Sequence, residues 1–243
     1  MIEFKHVKFN RGKKNVLRDV SFSIASTEKV AILGGSGEGK TTILKLIMHL
    51  LVPDSGTILV DNIDITQQSE HELRKIRRKF GLVFQDGALF DSLTVKENVA
   101  FHFREFTKLT EPEIEARVKT LLRYVGVEEA LNMMPEELSG GMQRRVALAR
   151  TLAAEQPQMF LYDEPTSDLD PINALRIRNL IHDLNGNQRG FIIVTHEMHD
   201  ALKLAERFIF LKGGYILFDG DYQALLRSDV SDLKVFLDEL NSD

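Results

Sequence analysis

Apolar residues in this chain recur first at every second position, then in unbroken runs, then at every third or fourth position, then in runs again. Ile2, Phe4, Val7 and Phe9 alternate with polar residues as far as the basic turn Arg11-Gly12-Lys13-Lys14. Val20, Phe22 and Ile24 resume the alternation beyond it. A period of two on both sides of a glycine turn predicts an antiparallel hairpin. Lys29-Val30-Ala31-Ile32-Leu33 then predicts a strand covered on both faces. Residues 41–51 place Ile43, Leu44, Ile47 and Leu51 on one face and predict a helix. Pro53-Asp54-Ser55-Gly56 is a turn, residues 57–60 a strand, and residues 80–84 a further strand ending at Gln85.

Residues 87–156 change to helical periodicity, with helices expected at 95–106, 111–124 and 141–154. Strand patterns return at 159–163, 191–195, 208–211 and 215–218, and residues 230–240 form a closing amphipathic helix. The fold expected is α/β: a mixed central sheet with an N-terminal antiparallel hairpin and an inserted α-helical subdomain. Residues 1–243 make one domain, with 1–86 and 157–243 as the α/β core and 87–156 as the helical part. No internal repeat divides the chain, so it is a single unit rather than a duplicated pair.

Composition narrows the function classes. Lys and Arg number 31 against 36 Asp and Glu, a net charge of −5, which argues against a nucleic-acid partner. The densest basic run, Arg74 to Lys79, is expected to be a solvated helix face. There is no cysteine, which removes disulfides and thiolate metal sites. Met1-Ile2-Glu3-Phe4 runs directly into a strand pattern rather than a targeting peptide. No apolar run approaches the ~20 residues of a membrane helix. A cytoplasmic chain is expected, one that reaches a membrane only through a partner.

Two motifs carry the chemistry. Gly34-Gly35-Ser36-Gly37-Glu38-Gly39-Lys40-Thr41-Thr42 fits G-x-x-x-x-G-K-[ST], the loop that cradles nucleoside triphosphate. Its glycines let backbone N–H groups converge on an anion, and the following helix N-terminus adds partial positive charge. Lys40 is placed to reach the β- and γ-phosphates and the Thr41 hydroxyl to ligate Mg²⁺. Glu38 brings a carboxylate into an anion cradle, and it is expected to point outward. Ser139-Gly140-Gly141 opens another helix and makes a second anion-binding N-terminus. Asp163 closes a four-residue apolar run, a dry strand end suited to holding a Mg²⁺-bound water.

The glycine loop, Leu138-Ser139-Gly140-Gly141-Met142-Gln143, and the strand ending in Asp163-Glu164 together resemble the ATP-binding-cassette (ABC) ATPases over essentially the whole chain. That resemblance implies a P-loop core, ATP and Mg²⁺. It makes Glu164 the general base, Gln85 a Mg²⁺ and γ-phosphate contact, and His196 the switch histidine. Pro165-Thr166-Ser167-Asp168-Leu169-Asp170 matches the family's D-loop, which brings in Asp168. It also implies a head-to-tail homodimer in which Ser139, Gly140 and Gly141 of one copy close over the ATP of the other. Arg11 stands where the family places an adenine-stacking aromatic. Its guanidinium stacks on the base, or it is a solvated hairpin arginine. Arg144-Arg145 is taken as a solvated or packing pair.

The wording FQ-GALF-LTV-NVAF, from Phe84 to Phe101, resembles the ATPases of MCE-type lipid transport systems, the Mla phospholipid group. Arg11 and Met133-Met134-Pro135 fit the same group. This implies an integral permease dimer, an MCE-domain lipid-binding protein and a STAS-domain regulator as partners, on the cytoplasmic face of a bacterial inner membrane. The alternative is the ATPase of an amino-acid or other small-solute importer. Some of the group carry a tail that grips their twin, whereas this chain ends at Asp243 and leaves such an exchange open. Leu89, Phe90, Leu93 and Val95 are expected to line in part a groove for a permease helix.

Overall fold

The structure is a computed structural model and describes residues 2–154, 157–186 and 189–239. The alternating N-terminal stretch forms the expected hairpin: β1 (Ile2–Arg11) pairs antiparallel with β2 (Lys14–Ile24), Ile2 opposite Ile24 and Phe4 opposite Phe22. β3 (Lys29–Leu33) runs through the glycine loop into α1 (Lys40–Ile47). β4 (Ser55–Val60) returns beside β1 and pairs with the short β5 (Ile63–Asp64). α2 (Glu70–Arg77) and β6 (Phe80–Val83) follow, and then α3 (Val95–Phe106), α4 (Glu111–Tyr124) and α5 (Gly140–Ala153) pack on one another. β7 (Met159–Asp163), α6 (Pro171–Asn185), β8 (Gly190–Thr195) and α7 (Met198–Leu204) continue the alternation. β9 (Arg207–Lys212), β10 (Tyr215–Asp221), α8 (Tyr222–Leu226) and α9 (Ser231–Glu239) end it. The residues expected at the ends of the helical insert and of the last helix, Gln156 and Leu240, lie outside the described residues.

Among the described residues the strands form one ten-stranded sheet, in the order β5-β4-β1-β2-β10-β9-β3-β8-β7-β6. β9, β3, β8, β7 and β6 are parallel, and the hairpin half is antiparallel, which gives the expected mixed sheet. The parallel strands separate two apolar cores by simple alternation. Leu33, Tyr162, Ile193 and Phe210 face the layer that carries α3, α4 and α5. Ile32, Leu161, Val194 and Leu211 face α1 and the hairpin. Burial on both faces explains why these strands read as unbroken apolar runs. Among the described residues no helix is long and apolar enough to cross a membrane.

Three expectations change on contact with tertiary structure. The first helix stops at Ile47 rather than Leu51, because His49 turns to φ +47. Its open carbonyls are taken by Arg77, whose Nε donates to Met48 O at 2.9 Å and Nη2 to His49 O at 3.2 Å. The basic run is therefore only partly a solvated face. Arg74 and Lys75 are exposed, but Arg77 caps α1, Lys79 pairs with Asp61 at 2.6 Å, and Arg78 lies over the Phe106 ring. The pair Arg144-Arg145, solvated or packing on sequence alone, is buried, which leaves the packing reading.

The segment before α3 is organised by one side chain. α3 starts at a capping box in which Glu97 N donates to Thr94 Oγ1 and Thr94 N to Glu97 Oε2. Asn98, fully buried, donates through Nδ2 to the carbonyls of Phe90, Leu93 and Thr94 and accepts from Phe90 N at 2.8 Å. Removing it takes away the partner of Phe90 N and of Leu93 O, whereas Phe90 O still accepts from Leu93 N and Thr94 O from Asn98 N. Asn98→Ala is expected to destabilise the chain by about 2–4 kcal/mol, read as a lower denaturant midpoint at unchanged slope. A loss under about 0.5 kcal/mol, the surface-substitution range, would show that water replaces the side chain.

Candidate functional site

Parallel strands leave their loops at one edge of a sheet, so motifs far apart in sequence meet there. β3 releases the glycine loop, β6 releases Gln85, β7 ends in Asp163-Glu164, and β8 releases His196. The loop's shape depends on glycine at two positions. Gly37 has φ +77 and Gly39 φ +104, and a Cβ on Gly39 would lie 2.9 Å from Val16 Cγ1 of the hairpin. The hairpin is thus packed directly against the loop.

Lys40 opens α1 with its ammonium buried. Nζ donates to Gly34 O at 2.9 Å and Gly35 O at 3.1 Å and lies 3.2 Å from Glu164 Oε1. Their side chains are 6% and 9% exposed, so each charge depends on the other. The other Glu164 oxygen meets His196 Nδ1 at 2.9 Å and accepts from His196 N at 3.3 Å. One residue earlier, Asp163 accepts from Thr41 Oγ1 at 2.7 Å. Burial pushes the Asp163 carboxyl above its usual range, and the neighbouring Glu164 charge pushes the same way. Thr41, Lys45 and Lys40 oppose that rise without cancelling it.

Glu164 has φ +46 and Asp168 φ +59, two non-glycine residues in the left-handed region four positions apart. Ser167 Oγ donates to Glu164 O at 3.0 Å, which closes the turn between them.

Two clefts open over these groups. One, of about 290 Å³, is lined by Arg11, Ser36, Gly37, Gly39, Lys40, Thr41, Thr42, Gln85 and Glu164. The other, of about 450 Å³, is lined by Gly35, Ser36, Gln85, Glu164, Ser167, Asp168 and His196. The residues singled out from four separate stretches therefore come together. Glu38 lies aside, with its carboxylate accepting from Gly213 N at 2.6 Å, outward as expected. Ser139 and Gly140 are exposed, and with Gly141 they line neither cleft. Ser139 caps α5 instead, accepting from Met142 N.

Three residues in or behind the clefts were not singled out from sequence. Lys45, one turn beyond Thr41 on α1, follows from helical spacing. Lys14 belongs to the basic hairpin turn and donates to Gly37 O at 3.3 Å. Asp200 is buried behind the site, accepting from Thr166 Oγ1 and from Arg178 Nη1, the latter at 2.6 Å. No sequence signal marked Asp200, because its partners lie on other elements.

The arrangement offers a buried ammonium beside an anion-shaped loop, and a hydroxyl and a carboxylate 2.7 Å apart. It also offers a second carboxylate braced by an imidazole. Such a set can bind a polyphosphate and take a proton from water beside it. Residues 17–167 match the family described as ABC transporter. The chain is 39% identical to the intermembrane phospholipid transport system ATP-binding protein MlaF of Haemophilus influenzae, over 97% of this chain and 88% of that protein. It is 40% identical to the glutamine transport ATP-binding protein GlnQ of Escherichia coli K12, over 99% and 100%. A dimeric ATP-binding cassette in a post-hydrolysis state with ADP and Pi superposes with a TM-score of 0.83. That cassette is 35% identical, over 91% of this chain and 98% of its own.

The raised Asp163 pKa makes a signed stability prediction. The fold favours the neutral carboxyl, so wild type loses stability as pH rises from the ordinary carboxylate value through the raised one, and the loss is complete above it. Asp163→Asn removes that term while keeping an acceptor for Thr41. The ligand-free variant should melt about 2–4 °C above wild type at neutral pH, a gain of about 1 kcal/mol. The difference should vanish toward acid pH, and a variant melting below wild type at neutral pH would contradict the assigned cause.

Proposed function

We propose that this chain, an ATPase that belongs to the ABC transporter family, energises phospholipid movement between two membranes through an integral permease. The observation that carries the hydrolytic part is the placement of Glu164. One oxygen faces Lys40, the other faces His196, and the backbone N–H of Glu164 donates to Val194 O at 2.9 Å. That fixation suits a general base aimed at a water in the cleft. Lys40, released from the loop carbonyls, would take the β- and γ-phosphates. His196 would hold Glu164 and sense the terminal phosphate, with Gln85 and Asp168 at the same cleft. Arg11, on the rim of the first cleft, would face the base.

Mg²⁺ fits the residues present. Thr41 and Asp163 offer hard oxygen donors 2.7 Å apart, with Gln85 lining the same clefts. No group of three carboxylate or histidine ligands exists among the described residues, so nucleotide oxygens would have to complete the shell, as Mg²⁺ prefers. Bound there, it would neutralise charge on the β- and γ-phosphate oxygens. The exposed Ser139-Gly140 pair supports a head-to-tail homodimer, since it faces no cleft of its own chain. The structurally similar cassette is itself dimeric.

Similarity to intermembrane phospholipid transport ATP-binding proteins of two bacteria supports phospholipid as the cargo. An MCE-domain protein, a STAS-domain regulator and a peripheral place on the cytoplasmic face of the inner membrane belong to the same proposal through the wording of residues 84–101. Comparable similarity to GlnQ keeps an amino-acid importer as the second reading. The surface for a permease helix is narrower than its sequence suggests. Val95 is in the core and Leu89 is packed against it, whereas Phe90 is 44% exposed and meets at a tilt the ring of Phe101, which is 41% exposed. Phe106 and His102 extend the patch beside Arg77 and Arg78, around a cavity of about 240 Å³.

Two experiments test this reading. Glu164→Gln should keep ATP binding, lower turnover by ~10²–10⁴-fold, and hold an ATP-bound dimer that elutes at twice the mass. Hydrolysis near the wild-type rate would remove Glu164 from the role of base. Phe90→Asp should leave the purified chain folded and able to bind ATP but abolish its co-purification with the permease. Detergent sensitivity of the cells would then support lipid transport. An isolated defect in amino-acid uptake would favour the importer, and retained permease binding would remove Phe90 from the docking surface.

A further inference from the structure

Arg144, on the second turn of α5, joins loops that lie apart in sequence. It is buried, yet its Nη2 donates to Ser167 O at 2.7 Å, in the turn between Glu164 and Asp168. Its Nη1 lies 3.3 Å from where a Cβ on Gly140 would sit, which places the guanidinium against the Ser139-Gly140-Gly141 loop. Asp168 and Asp86 are the charges that act on it and oppose the downward push of burial on its pKa. Asp86 follows Gln85 directly. The guanidinium thus lies among three loops: the one that opens α5, the one that follows β7, and the one that follows β6. Its Nε has no hydrogen-bond partner among the described residues. A buried, unpaired N–H on a charged group is unfavourable and leaves one donor free for a different arrangement of the same loops.

The mechanics follow from what holds the other end of the turn. Thr166 is hydrogen-bonded to Asp200, which is ion-paired to Arg178, so that side is fixed to α6 and α7. Ser167 is fixed to α5 through Arg144. Between these anchors and the cleft stand Glu164 and Asp168 at φ +46 and +59, conformations sensitive to small displacements of their neighbours. A shift of α5 relative to α7 must therefore be absorbed in the turn that holds Glu164.

We propose that Arg144 is a positioning residue that makes the Glu164–Asp168 turn of one subunit follow its own α5, and hence the ATP of the partner subunit's site. The inference rests on the two-chain site proposed above. ATP gripped by the Ser139-Gly140 loop would set the position of α5, and Arg144 would transmit that position to the base-bearing turn in the same chain. Each site would then reach its active geometry only when the other is filled, which is positive coupling between sites.

The test uses the full chain with Arg144→Lys, Arg144→Gln and Arg144→Ala. Affinity for a fluorescent ATP analogue should stay within about twofold of wild type, because no cleft-lining group is changed. In the Gln and Ala variants kcat should fall about tenfold at unchanged KM, and the Hill coefficient for ATP should fall from its cooperative wild-type value to unity. Arg144→Lys, which keeps a charged donor, should recover part of both. If Ala does not fold, Lys and Gln carry the same readouts. A merely structural role would lower Tm and the fraction of chains that bind ATP while leaving the cooperativity of the remaining activity intact. That outcome, or an unchanged kcat, overturns the proposal. A wild-type chain whose turnover is non-cooperative and independent of protein concentration would overturn the two-chain site itself, and this proposal with it.

Discussion

The structure is organised around the mutual neutralisation of Lys40 and Glu164 at a dry sheet edge. Each is under a tenth exposed, and a charge buried there without its partner would carry an uncompensated desolvation cost. Their approach requires β3 and β7 to end level with each other, with β8 between them to bring His196 to the second Glu164 oxygen. Level strand ends in turn require the parallel register that pairs Ile32 with Val194 and Asp163 with Val194. The apolar runs on both faces of the sheet fix that register, because a one-residue slip would exchange the side chains of the two cores. Sheet packing and site chemistry are therefore one constraint, met on the faces and at one end of the same strands.

The helical layer is tied to this edge by arginines rather than by apolar contact alone. Arg144 donates to Ser167 O and Arg150 to Gly87 O and Ala88 O at 2.9 and 2.7 Å, while Arg145 braces the layer itself through Gly126 O, beyond α4, at 2.6 Å. All three belong to α5, and each reaches a main-chain carbonyl in a loop. Guanidinium groups suit this work because they stay charged under partial burial and present several donors in a fixed plane. Apolar packing would hold α5 equally close but would let it slide; directional bonds to carbonyls specify where each loop must be. Gly87 is needed for the same reason, since a Cβ there would press on Gln143 O at 3.3 Å.

What the sequence made legible was local. The period-two hairpin, the apolar runs and the 3.6-residue helices depend on neighbours a few positions apart, and α3, α4 and β7 fall at the expected residues. The glycine loop was legible because its backbone geometry demands a fixed local pattern. What stayed hidden depends on partners distant in sequence. Arg77 ends α1 from 28 residues away, Arg144 is buried by a turn 23 residues away, and Asp200 holds Thr166 across 34. No periodicity announces such pairs. Val95 shows the same limit in reverse. It is expected at the start of a helix and also as part of a groove for a permease helix; it does open α3, but it is fully buried and lines no groove.

Function and stability pull in opposite directions at this edge, and the residues chosen show how far. Glycine would relieve the left-handed backbone at Glu164 and Asp168, yet glycine carries no carboxylate into the cleft. Asparagine would relieve the buried charge at Asp163, yet an amide holds a divalent cation more weakly than a carboxylate. In each case the less stable residue stands at the strand end or in the turn that faces the cleft. The opposing stability comes from positions with no chemistry to perform: the two sheet cores, the capped helices and the Asn98 network. A rigid sheet with strained ends is what holds Asp163 2.7 Å from the Thr41 hydroxyl and Glu164 2.9 Å from the His196 imidazole before any ligand binds.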